Sequence, residues 1–248
     1  MKKITLKNYE VIFLDDGGVM NDNEIRSPQW RELVAQYFSP RYGGSIQDWK
    51  KANKRVFDLL FARYKEIVIE NPMIDYIEYW RHEQIRWLTD MFKLVQIDIP
   101  PCNQRAKIAQ EASEWITSRV RSAYPGVIEA IKYLKKSDMI LCTASGEVSW
   151  ELRGYLTGMG ILECFYKLYG PDIINRMKAS KSYYKKILGD MQLHPSEAIV
   201  IDDSFDYLSM ASELGITTIH VDSLRSCKRE SCHFHIRSLS EIKRIIQI

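Results

Sequence analysis

Four short stretches of this chain place reactive side chains where buried strands end. Asp15 and Asp16 follow the apolar run Val11–Leu14 and precede Gly17 and Gly18. Thr143 closes MILCT, Lys178 stands in KASKSYY, and Asp202 with Asp203 closes AIVIDD. Carboxylates hold a hard cation such as Mg²⁺ through oxygen. One carboxylate can attack phosphorus, and a lysine with a hydroxyl can bind phosphoryl oxygens. Asp15 and Asp16 cannot share one task, because neighbouring side chains of a strand point to opposite faces. Each residue also has a structural reading, since an Asp at a strand end often caps the next helix or turn. Lys181 competes with Lys178, and Asp206 either orients its neighbours or caps a helix.

Two textures along the chain must position these groups. From about Arg26 to Tyr124 the pattern is helical, with Trp49, Val56, Leu60 and Tyr64 at helix spacing and Ile46 extending that face. Ile77, Trp80, Gln84, Trp87 and Met91 repeat it, and a Pro-Pro pair at Pro100 precedes a third helix, QRAKIAQEASEWITSRV. Five tryptophans (Trp30, Trp49, Trp80, Trp87 and Trp115) lie here and are expected in helix–helix packing. From Pro125 onward, short apolar strands (MILCT, YKLYG, AIVIDD, TTIHVD, HFHIRSL) alternate with helices. That order predicts an α/β fold with a parallel, doubly wound sheet, and VIFLD belongs to it in kind. The expected organisation is a core from residues 1–20 and 125–248, interrupted by an all-helical insertion over 21–124.

Composition narrows the partners. With 35 basic and 32 acidic residues the net charge is +3, which gives no clustered positive field for nucleic acid or an anionic membrane. No apolar stretch approaches the ~20 residues of a membrane span. Cys102, Cys142, Cys164, Cys227 and Cys232 are odd in number and without framework spacing, so reduced thiols and a cytoplasmic location are expected. Cys227, Cys232, His233 and His235 cluster in sequence, but their spacing fits no familiar zinc finger. A monomer and a homodimer are both compatible with the sequence.

The succession D-x-x-G-[TV] after a first strand, a strand ending in Thr, a Lys, and a strand ending in Asp-Asp resembles the haloacid dehalogenase (HAD) superfamily. The resemblance spans nearly the whole chain, and the helical insertion after the first motif resembles that superfamily's C1-type cap on a Rossmann-like core. It implies that Asp15 is the nucleophile that forms an aspartyl-phosphate. It also implies that Thr143, with the backbone N–H groups of Ala144 and Ser145, binds the phosphoryl group, and that Lys178 offsets its charge. Asp15, the Gly17 carbonyl, Asp203 and Asp202 are implied as the Mg²⁺ site, and a small phosphorylated molecule as the substrate.

One departure separates this chain from most phosphatases of the superfamily, which carry D-x-D. Here Gly17 stands where the second Asp acts as general acid/base. Such a group is typically worth ~10²–10⁴-fold in rate, so esters with poor leaving groups are expected to react slowly. Asp22, Asp75, His82 and Glu83 are candidate replacements, as are a water and a substrate group. Three rival readings follow: a 2-haloacid dehalogenase, whose relatives lack the paired Asp-Asp; a phosphonatase-like enzyme using Lys50, Lys51, Lys54, Lys65 or Lys93; and a phosphate-binding protein without turnover.

Overall fold

The computed structural model describes residues 3–71, 73–222 and 232–247. The apolar runs form the expected strands: β1 (Ile4–Thr5), β2 (Val11–Leu14), β3 (Ile140–Ala144), β4 (Lys167–Tyr169), β5 (Ala198–Asp202), β6 (Thr217–Val221), β7 (Phe234–Ile236) and β8 (Ile246–Gln247). Six of them make one parallel sheet in the order β4-β3-β2-β5-β6-β7, while β1 pairs separately with β8. Between β2 and β3 come α1 (Asn23–Tyr42), α2 (Ile46–Glu70), α3 (Tyr76–Val95) and α4 (Cys102–Thr117). After them come α5 (Val127–Leu134), α6 (Ser149–Met159), α7 (Pro171–Ile174), α8 (Lys181–Met191) and α9 (Phe205–Ser212).

Alternation along the strands sorts the core into two layers. Ile12, Leu14, Leu141, Ile199 and Ile201 pack with α5 and α6 on one face. Val11, Phe13, Cys142, Ala144, Ala198 and Val200 pack with α8 and α9 on the other. Both faces are covered by helices, which is why these strands read as continuous apolar runs. Leu14, Thr143 and Ile201 lie in register across β3-β2-β5, so the three strands end level with one another.

The helices α1–α4 enclose a core of their own around Phe38, whose ring meets Tyr42, Trp49, Trp87 and Phe92. Trp49 and Trp87 thus fulfil the packing role expected of them, whereas Ile46 and Ile77 are half exposed and lie off the buried stripe. A smaller cluster joins these helices to the sheet: Tyr76 and Trp80 of α3 pack with Val148 and Met177. The two chain crossings are tied together. Asp22 N–H donates to the Ser122 carbonyl at 2.7 Å, Tyr124 N–H to the Met20 carbonyl at 3.0 Å, and Asn21 bridges Ala123.

Cys102, Cys142 and Cys164 carry free thiols, and Cys227 lies outside the described residues. Among the described residues no helix is long and apolar enough to cross a membrane. The aromatic cluster gives a direct test. Phe38→Ala removes the ring at its centre and is expected to cost about 3–5 kcal/mol, read as a lowered midpoint in urea unfolding.

Candidate active site

The sheet decides which polar groups meet. Continuing the alternation of Val11 and Phe13, Asp15 falls on the α8–α9 side, and Asp202 does the same after Ala198 and Val200. Lys178 comes from the turn between α7 and α8 on that side. Its Nζ donates to Asp15 Oδ1 at 2.9 Å and to Asp202 Oδ2 at 2.6 Å. The Tyr207 ring lies 4.9 Å from the ammonium. Lys178 is only 2 % exposed. Burial opposes its charge, but the Asp15 and Asp202 carboxylates outweigh that effect and hold its pKa well above the ordinary value. Lys181 is instead the exposed first residue of α8 and pairs with Glu213. Of the two competing lysines, Lys178 is the one joined to Asp15.

Asp202 is fully buried, and both its oxygens are engaged: Oδ1 accepts the Ser204 N–H at 2.8 Å and Oδ2 accepts Lys178. Burial pushes its carboxyl up to about 7, against the pull of Lys178 and with help from the Asp15 charge. Asp203 is the open member of the pair. One oxygen from each of Asp15, Asp202 and Asp203 lies within 4.8 Å of the others. Three carboxylates around one ammonium leave an excess of negative charge, and such an oxygen set suits a hard divalent cation. Asp206 sits exposed in the first turn of α9, where a carboxylate favours the helix dipole.

The loop after β2 explains both glycines. Gly18 has φ +81°, and a Cβ there would stand 2.0 Å from Asp203 Oδ2. Only a residue without a side chain lets that carboxylate approach the loop. Among the described residues, the loop's backbone hydrogen bonds use the carbonyls of Asp16 and Asn21 and not that of Gly17. A Cβ at Gly17 would meet Arg26 Nη2 and Asn23 Oδ1, each at 3.0 Å. Asp16 turns to the opposite face, as alternation requires. It is fully buried and accepts from Asn21 Nδ2 and Arg26 Nη1, each at 2.7 Å. Burial raises its carboxyl to about 6, with Arg26 pulling the other way. Asp16 braces the loop that carries Asp15.

The strand end of β3 departs from expectation in one respect. Pairing with β4 extends one residue past Ala144, so the Ser145 N–H donates to the Tyr169 carbonyl at 3.1 Å and is spent. The Thr143 hydroxyl also donates to that carbonyl, at 3.2 Å, and Thr143 is fully buried. Ala144 is buried beside Phe13 and Tyr169.

Three of the candidate replacements for the second Asp are engaged elsewhere. Asp22 caps α1, Asp75 caps α3, and Glu83 is held by Arg63 and Arg86. His82 lines a groove of about 410 Å³ on α2 and α3 that includes none of Asp15, Lys178 and Asp203. Lys50, Lys54 and Lys93 pair with Glu32, Asp58 and Asp90, Lys65 stacks on Phe61, and Lys51 is exposed. Sequence reasoning passed over four other residues: Arg26, Glu147, Tyr207 and the α2 residue Tyr64. Burial raises the Tyr64 phenol's pKa, aided by Tyr207 and Glu147 and opposed by Lys178; Tyr64 packs against the cluster of Tyr76, Val148 and Met177, so α2 reaches the same mouth. No motif marks any of the four.

Two outcomes are expected. Gly18→Ala combines a left-handed backbone with a collision at Asp203 and should lower stability by at least ~1–2 kcal/mol in chemical unfolding. Asp16 and Asp202 bind protons more tightly folded than unfolded, so their contribution is complete below the unfolded carboxyl value of 3.8 and is lost as pH rises through about 6–7. The thermal midpoint of the metal-free protein should therefore rise on acidification from pH 8 to pH 5.5, and a flat profile over that window would contradict the buried-carboxyl assignment.

The sequence and the fold can be set against known proteins. The sequence model of the haloacid dehalogenase-like hydrolases matches residues 44–221, a span holding Thr143, Lys178, Asp202 and Asp203 but not Asp15. No curated protein matches the chain in sequence. Several solved structures share the fold. The putative HAD-hydrolase YfnB from Bacillus subtilis bound to magnesium has a TM-score of 0.65 at 15% identity, with 98% of this chain and 100% of that chain covered. A HAD phosphatase from Thermococcus onnurineus gives 0.61 at 18% identity, covering 95% and 97%. The L-2-haloacid dehalogenase from Xanthobacter autotrophicus gives 0.62 at 12% identity, covering 95% and 97%. With a doubly wound parallel sheet, a helical layer inserted after the first strand and the family's sequence pattern over most of its length, this chain belongs to the haloacid dehalogenase-like hydrolases.

Proposed function

We propose that the chain is a Mg²⁺-dependent phosphohydrolase that acts on a small phosphorylated metabolite through an aspartyl-phosphate on Asp15, with residues 21–124 as its cap. One observation carries this reading: the Lys178 ammonium joins Asp15 to Asp202 while Asp203 brings a third carboxylate to the same rim. A carbon–halogen reaction at Asp15 has no use for that third carboxylate, whereas a cation and a phosphoryl group have. The structural relatives include both phosphatases and dehalogenases, so the acidic trio is what favours phosphate.

The chemistry follows from what each side chain can do. An Asp15 oxygen attacks phosphorus, and the bond to the leaving oxygen breaks. Lys178, already bonded to Asp15, offsets the charge gathering on the phosphoryl oxygens and keeps the nucleophile oriented. The Thr143 hydroxyl contributes only by turning from the Tyr169 carbonyl. Ala144 offers its backbone at the same strand end. Asp203, Asp15 and the Gly17 carbonyl are the groups to hold Mg²⁺, with Asp202 behind them because its own oxygens are engaged. When bound, that ion neutralises phosphoryl charge beside Asp15. Water then hydrolyses the aspartyl-phosphate.

Hydrolysis of p-nitrophenyl phosphate checks the reading, because its leaving group needs little protonation. Wild-type turnover is expected to require Mg²⁺, to stop on chelation and to fall to the buffer rate in Asp15→Asn. Lys178→Met should lower kcat by ~10²–10³-fold. Metal-independent halide release from a 2-haloacid would instead identify a dehalogenase, and tight binding of a phosphate mimic without turnover would identify a binding protein.

A further inference from the structure

Gly17 carries no carboxylate, yet the direction its side chain would take is occupied. A Cβ at that position points at Arg26 Nη2, and the same nitrogen pairs with Glu147 Oε1 at 3.2 Å. Arg26 is therefore the link between the vacated position and a carboxylate that arrives from a different part of the chain. Glu147 lies four residues beyond Thr143 on the loop leaving β3, where its N–H is fixed by the Ser145 hydroxyl at 3.2 Å. Arg26 is in turn held by Asp16 at 2.7 Å, by Asn23 at 2.6 Å and against the Tyr155 ring at 5.2 Å.

Access singles out one member of this cluster. The Asp16 side chain is fully buried and Glu151 nearly so, while the Glu147 side chain remains 31% exposed. Glu151 is held by Ser113 Oγ at 2.7 Å. Burial and the Glu147 charge hold the Glu151 carboxyl well above the usual range. Tyr64 packs against the cluster of Tyr76, Val148 and Met177, the last two being the chain neighbours of Glu147 and Lys178, which brings those two to one mouth.

We infer that Glu147, positioned by Arg26, performs the proton transfer that Gly17 cannot. The inference rests on the phosphohydrolase reading above. In the second half-reaction a water oxygen bonds to phosphorus as the bond between phosphorus and the Asp15 oxygen breaks. The electron pair of that bond returns to Asp15 as carboxylate, and Glu147 takes the water's proton. In the next turnover that proton passes from Glu147 to the leaving oxygen as its bond to phosphorus breaks. Arg26 is a positioning residue in this scheme.

Pre-steady-state hydrolysis of p-nitrophenyl phosphate by the full chain, with Mg²⁺, tests the assignment. Nitrophenol needs no proton to leave, so Glu147→Gln should still release about one equivalent per enzyme in a burst. Steady-state turnover should then fall by ~10²–10⁴-fold while phosphoenzyme accumulates and can be trapped by acid. Glu147→Asp, which keeps the carboxylate, should recover part of the lost turnover without changing the burst. A Glu147→Gln rate equal to wild type overturns the proposal. So does a slow variant without a burst, or a Glu147→Asp variant no faster than Glu147→Gln, because either marks a purely structural role. Asp15→Asn, run alongside, separates the two claims: loss of all nitrophenol release there upholds the phosphohydrolase whatever Glu147 does, and retained release refutes it.

Discussion

A single buried ammonium holds the chemical end of this molecule together. Lys178 is enclosed beneath Tyr207 and bonded to carboxylates at the ends of two neighbouring strands. Burying a charge is costly unless it is paired and hydrogen-bonded, and breaking such a pair typically costs ~3–5 kcal/mol. The same contact fixes β2, β5 and the turn before α8 in one arrangement. Asp15 therefore faces the rim with its orientation already set, and the level strand ends bring Asp203 alongside.

The sheet also divides labour between two adjacent carboxylates. Asp15 joins Lys178 on the α8–α9 side, while Asp16 joins Arg26 and Asn21 on the other. The first faces the rim beside Lys178, and the second stiffens the loop because it is sealed away from water. Gly18 completes this division by letting Asp203 come down onto the loop from above.

The strands and most helices were legible because two-sided burial writes long apolar runs and helical packing writes a repeating stripe. The stripe failed at its margins: Ile46 and Ile77 keep the period but lie beyond the helical core, so periodicity alone placed them wrongly. That Asp15, Lys178, Asp202 and Asp203 converge was legible because each ends a strand or precedes a helix in a recognisable order. The competition between Lys178 and Lys181 turned on which side of the start of α8 each residue stands, which spacing alone left open. The bond from the Ser145 N–H to the Tyr169 carbonyl was not legible because the reach of β4 along β3 is a tertiary fact. The meeting of Arg26, Glu147 and Tyr64 could not be read from the sequence. Each is an ordinary charged or aromatic residue on a helix or loop, and only the fold brings them to the same mouth.

The tie between the two chain crossings has a mechanical consequence. Met20, Asn21 and Asp22 are bonded to residues 122–124, and Asn21 also donates to the buried Asp16 carboxylate. Both strands of the connection between the helical layer and the sheet thus run through one narrow paired ribbon. Any swing of α1–α4 must be taken up as torsion in that ribbon, within a few residues of Asp15. Opening the mouth and disturbing the reactive loop are, for this chain, one motion.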